Sequence, residues 1–159
     1  MALRQAIRKA APTATRVQAS TAADVNQRIS RQTEATLALA GADPQGIERR
    51  LRELDQEWDI ERALQTNFGV VNLLSVMLGA LVARPWFLLT GVAAGFMAEH
   101  ALKGWCPPVP LFRRLGFRTA REIAQERYAL KALRGDFQGV EAGQPAKAMR
   151  ASVLASAQD

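Results

Sequence analysis

The 159 residues contain one cysteine and one histidine, and aromatic residues make up only 6%. A single cysteine excludes an internal disulfide framework. One His with one Cys leaves too few ligands for a closed zinc site within one chain, so no metal and no cofactor is expected. The scarcity of aromatics argues against a base-stacking platform, and nucleic acid is not an expected partner. No Ser/His/Asp set, phosphate-cradling loop or paired carboxylates stands in a context that suggests catalysis, and the chain is read as a non-enzyme.

Charge is missing from the middle. Between Ala63 and Ala83 there is no Asp, Glu, Lys or Arg, and after Arg84 the next charge is Glu99. Residues 1–64 carry 10 basic and 9 acidic residues, and residues 103–159 carry 10 and 5, so the net charge of +6 comes almost wholly from the C-terminal third. A basic excess beside a long apolar stretch suits the anionic face of a membrane.

The first 23 residues hold Arg4, Arg8, Lys9 and Arg16 with no acid, and lack the apolar core of a secretory signal. Residues 1–42 are read as a basic and polar region, partly disordered. Within it, Val25, Ile29, Thr33 and Leu37 allow a weakly amphipathic helix that Gly41 ends. Asp43-Pro44 is a helix start: Asp accepts from free N–H groups of the first turn and Pro fits the first helical position. Ile47, Leu51, Leu54 and Trp58 then form one apolar stripe, and an amphipathic helix is expected over 43–64.

Ala63–Ala83 supplies 21 uncharged residues, and about 20 suffice to cross the hydrocarbon layer as a helix. Arg84-Pro85 interrupts, and Trp86–Leu102 is a second apolar run of 17. Two such runs joined by a tight turn predict a transmembrane helical hairpin within 65–119. Basic residues flank the outer ends of both runs, while the turn has only Arg84, which places both termini in the cytoplasm. The competing reading is a hairpin buried in a soluble helical bundle. Gly91-x-x-x-Gly95 and Ser75-x-x-x-Gly79 provide small faces for close helix packing, within the hairpin or between copies, and Asn72 shares the Ser75/Gly79 face.

Gly104–Pro110 reads as a rigid, non-helical Cys-Pro-Pro exit from the second run. Lys103, Arg113, Arg114 and Arg118 are expected at the membrane surface. Thr119 and Glu122 form a capping-box pair for a helix over 120–138, with Gly135 as its stop, and 139–159 reads as a disordered tail. Cys106 is a candidate reactive thiol, favoured by nearby cations, or a small residue packing the turn; the prolines and Trp105 around it favour packing. His100 reads as an interfacial polar residue.

Two short apolar helices followed by Cys106-Pro107-x-x-x-Leu111-Phe112-Arg113-Arg114-Leu115-Gly116-Phe117-Arg118-Thr119 resemble the small membrane domain of YgaP-type inner-membrane rhodaneses. That domain also occurs alone in bacterial proteins of unknown function. The resemblance covers about residues 64–119 and includes Asn67 near the start of the first helix. It implies a bacterial inner-membrane location and hints at sulfur transfer or export of a small anion, although these residues hold no rhodanese domain and no second cysteine.

The sequence thus predicts an all-α protein: a short transmembrane hairpin flanked by amphipathic cytoplasmic helices, with disordered termini. The expected role is an oligomeric scaffold or accessory subunit in lipid, with copies of itself and a cytoplasmic protein as partners. Sulfur handling or small-anion passage at Cys106, and a soluble helical interaction module, are the alternatives.

Overall fold

The computed structural model describes residues 12–138. The disordered tail expected over 139–159, and residues 1–11 of the basic N-terminal region, lie outside them. Among the described residues every regular element is helical: α1 (Arg16–Ala19), α2 (Ala23–Ala40), α3 (Pro44–Gln56), α4 (Ile60–Leu81), a 3-10 turn (Arg84–Trp86), α5 (Phe87–Lys103), α6 (Pro108–Arg114) and α7 (Ala120–Arg134). They form two compact units. One comprises 12–31 with Trp58–Glu122, the other Gln32–Glu57 with 123–138.

In the first unit, α4 follows its cap: the Asp59 carboxylate accepts from the Arg62 backbone N–H at 2.8 Å. The core joins Val17, Ile60, Leu64, Cys106 and Val109, with Phe112 and Phe117 packed on it. Burying each such apolar side chain contributes about 1.5–3 kcal/mol. The Ile60 N–H donates to the Arg118 carbonyl at 2.8 Å, fixing the head of α4 against the segment before α7. Above this core α4 and α5 pack on each other across the 3-10 turn. The Ser75 hydroxyl donates to the Trp86 carbonyl, and Thr90 Oγ1 donates to Ser75 Oγ at 2.9 Å.

In the second unit, Ile47, Leu51 and Leu54 of α3 pack with Ala40, Ile123 and Leu130, and Leu37 covers their edge. Around this core Arg50 Nε meets Glu126 at 2.7 Å and Nη2 meets its other oxygen at 3.2 Å. Arg134 reaches Glu48 at 2.6 Å, and Arg127 pairs with Asp55. The buried Glu126 holds the Arg50 guanidinium more firmly protonated than a free arginine.

Several local expectations are realised. Asp43 accepts from the Gly46 N–H with Pro44 in the first turn. Thr119 and Glu122 exchange the two bonds of a capping box, at 2.7 and 3.2 Å. Gly135 takes the left-handed backbone, φ 94°, that suits a helix stop. Three expectations are corrected. The helix expected over 43–64 is two helices, because the backbone is extended at Glu57 and Asp59 starts a new one. Trp58 lies in the gap, its ring under the Arg62 guanidinium at 4.2 Å, so it does not extend the stripe of α3. The exit segment is partly helical: Pro108 and Pro110 fall in the first turn of α6, where N–H groups lack helical partners anyway.

Among the described residues one helix is long and apolar enough to cross a membrane. Its most apolar window has mean hydropathy 1.4, and only 17% of that window is buried. The 22 residues of α4 span about 33 Å at 1.5 Å per residue.

Candidate functional site

The single histidine sits at a junction. His100, one turn from the end of α5, is 2% exposed. Its Nε2 lies 2.9 Å from Glu61 Oε2, in the first turn of α4. Glu61 Oε1 accepts in turn from Arg16 Nη2 at 2.7 Å. A carboxylate can only accept, so Nε2 carries the ring proton in this pair. Nδ1 is buried and completes no hydrogen bond. The chain of polar contacts therefore runs Arg16, Glu61, His100, drawn from α1, α4 and α5. The reading of His100 as an interfacial polar residue is corrected by this burial.

The turn that presents Cys106 depends on Gly104, with φ 76°. A Cβ there would stand 2.4 Å from backbone atoms of Arg16, so only glycine lets α1 lie this close. Cys106 itself is 4% exposed and belongs to the core, as the packing reading expects. It also borders an apolar cavity of about 220 Å³ between α4 and α5, walled by residues such as Phe68, Leu89, Phe96 and Met97. Besides Cys106, the polar side chain on the wall is Asn67. Among the described residues no three His, Cys, Asp or Glu side chains are grouped to hold a metal ion.

The remaining sequence-derived sites divide. Ser75 and Gly79 lie at the α4–α5 contact; a Cβ on Gly79 would come within 2.9 Å of the Phe87 ring. Asn72 turns back on its own helix, donating to the Phe68 carbonyl at 2.8 Å, because a four-residue spacing puts that carbonyl within reach of its amide. A Cβ on Gly91 or Gly95 meets nothing within 4 Å, so neither packs on α4.

Of the four basic residues expected at a surface, Lys103 and Arg114 are exposed, and Lys103 pairs with Glu99 at 2.9 Å. Arg113 and Arg118 are buried. Arg113 is wholly enclosed: its two terminal nitrogens reach Glu122 at 2.7 and 2.8 Å, and they also reach the Phe117 carbonyl and Asn26 Oδ1. Burial pushes the Glu122 carboxyl up, but Arg113, Gln18 and the Thr119 N–H together hold it down at about 2. The expectation of Arg113 and Arg118 as surface cations is overturned by this burial; for Arg113 the partners that permit it are Glu122, the Phe117 carbonyl and Asn26.

Comparison with protein-family models, curated proteins and solved structures gave no match.

Proposed function

We propose that this chain is an integral membrane scaffold or accessory subunit, with α4 and α5 as a transmembrane hairpin and both termini in the cytoplasm. The observation that carries it is the uncovered apolar surface of these helices: Leu73, Leu74, Leu81, Leu88 and Val92 are exposed, Leu81 at 78% and Leu88 at 73%. Such a surface exceeds what a soluble protein leaves to water, whereas lipid covers it without cost. α5, with 17 residues, is at the lower length limit for a span. The basic flanks of the two helices and the likeness to the YgaP-type membrane domain support an inner-membrane location with the Arg84 turn periplasmic. The open faces at Gly91 and Gly95 support self-association, and the exposed Arg49, Arg52 and Arg121 of α3 and α7 suit a cytoplasmic protein partner.

Two measurements test this reading. The protein stays with membranes through an alkaline carbonate wash; release overturns the hairpin. In a Cys106→Ser background, Arg84→Cys reacts with an impermeant maleimide in intact cells. A silent residue 84 beside a reactive N-terminal cysteine overturns the orientation.

Thiol chemistry at Cys106 is the second reading. It is favoured by the place of Cys106 on the wall of the apolar cavity between α4 and α5.

A further inference from the structure

We propose that α6 lies in the headgroup layer of the cytoplasmic leaflet, where Arg28 and Arg114 hold the phosphate of an anionic phospholipid whose chains cover Leu111 and Leu115. The proposal rests on the hairpin lying in lipid, and adds to it a lipid class and a second contact with the membrane.

α6 is inside out for a helix in water. Its buried residues are Val109 and Arg113, while Leu111, Arg114 and Leu115 are exposed. Leu111 is 58% exposed and Leu115 65%. Residues three and four apart stand on one side of a helix, so the two leucines and Arg114 form one strip. A soluble fold turns leucine inward and arginine outward. Here Glu122 neutralises the inward arginine, and the leucines take the outside.

The ends of α6 point to the same surroundings. A helix starts with N–H groups and finishes with carbonyls that lack partners within it, and water often takes them. α6 needs none at these groups. Pro107, Pro108 and Pro110 have no N–H, and the Val109 N–H donates to the Cys106 carbonyl at 3.0 Å. At the far end the Leu111, Phe112 and Arg113 carbonyls accept from the N–H groups of Leu115, Phe117 and Gly116, at 2.9, 3.0 and 3.1 Å. The Arg114 carbonyl accepts from Arg28 Nη2 at 2.7 Å. Terminal groups closed in this way are what a layer poor in water demands of a helix. Trp105, 38% exposed and edge-on to the Phe96 ring, stands between α5 and α6. Tryptophan at the exit of an apolar helix marks the membrane interface, and α6 starts three residues later.

Charge selects the lipid. The bond to the Arg114 carbonyl brings a second exposed guanidinium to the end of α6. Among the described residues neither Arg28 nor Arg114 forms an ion pair. Guanidinium groups match phosphate oxygens in charge and geometry, and the leucine strip suits the acyl chains attached to that phosphate. A zwitterionic lipid carries its own cation to compete for the phosphate, whereas an anionic one leaves it to the protein.

The test attaches bimane to Leu111→Cys in a Cys106→Ser chain, with Leu74→Cys on α4 as the control. The vesicles hold equal parts of phosphatidylglycerol and phosphatidylcholine, with brominated chains on one or the other as quencher. The label at residue 111 should be quenched about threefold more by brominated phosphatidylglycerol, and the label at residue 74 equally by both. Arg28→Gln/Arg114→Gln should abolish the excess. Arg28→Lys/Arg114→Lys, which keeps the charges, should retain most of it, which separates a lost charge from a lost fold. Inorganic phosphate at constant ionic strength should leave the excess unchanged; its loss would make the free anion the ligand and overturn the lipid assignment. Equal quenching of residue 111 by the two lipids overturns the proposal, as does an excess that survives both glutamines. A silent residue 111 beside a quenched residue 74 overturns this proposal alone and shows that protein covers α6. A silent residue 74 overturns the hairpin as well.

Discussion

Glu122 closes two circuits with one carboxylate: it binds both terminal nitrogens of Arg113 and caps α7 through the Thr119 N–H. A residue at a helix start thereby also neutralises a guanidinium with no solvent exposure. Truncating one member of such a pair strands the other charge in low dielectric. Arg113→Met should therefore cost about 3–5 kcal/mol. The double variant Arg113→Met/Glu122→Gln should cost less than the two single losses added together. Thermal unfolding of the four proteins in mild detergent, followed by circular dichroism, gives the coupling; additive losses would show that the pair is not a unit.

The same carboxylate sets an acid limit. Glu122 titrates at about 2 in the folded chain, below an unfolded glutamate near ~4.3. Its contribution is thus complete above pH ~4.3 and is lost as pH falls toward 2, on the order of 3 kcal/mol. Glu122→Gln should flatten the stability–pH curve below pH ~4.3 while lowering its plateau. An unchanged acid slope would exclude Glu122 as the titrating group.

Gly79 and Gly91 should respond oppositely to the same change. Gly79→Ala forces a methyl against Phe87 and should destabilise by about 1–3 kcal/mol, with Phe87→Leu restoring part of the loss. Gly91→Ala enters open space and should leave the isolated chain unaffected or slightly more stable. Unfolding in detergent reads both, and equal effects would refute the α4–α5 contact at Gly79.

Because a Cβ on Gly91 or Gly95 would meet nothing within 4 Å among the described residues, Gly91→Ile/Gly95→Ile tests contact between copies. Crosslinking in membranes should show fewer oligomers. Undiminished crosslinking would mean that these glycines face lipid.

What could be read from the sequence was local. The Asp43-Pro44 start, the Thr119–Glu122 box and the Gly135 stop each depend on residues within one turn, and spacing alone identifies them. The break before α4 had the same kind of signal in Asp59, but the helical composition of Asp59–Arg62 masked it. Basic residues after an apolar run usually face headgroups, whereas Arg113 is buried on Glu122, the Phe117 carbonyl and Asn26, the last 87 residues earlier. His100 and Glu61 are 39 residues apart, and no pattern in either helix announces that they meet. An acid in the first turn of an apolar helix, beside the chain's one histidine, was the available hint.

The partners of the N-terminal segment have a consequence for synthesis. Arg16 pairs with Glu61, Asn26 with Arg113 and Gln18 with Glu122, at separations of 45, 87 and 104 residues. A ribosome releases the early residues first, so Gln18 and Asn26 must wait uncommitted while α4 and α5 emerge, whereas Arg16 meets its partner at the head of α4. Closing such long loops is slow, and it comes after the local helices have formed. A nascent chain stalled before Glu122 would hold both apolar helices and Glu61 for Arg16, yet lack the partner of Gln18. Shortening this protein as far back as Glu122 would therefore be felt at residue 18, near the opposite end of the chain.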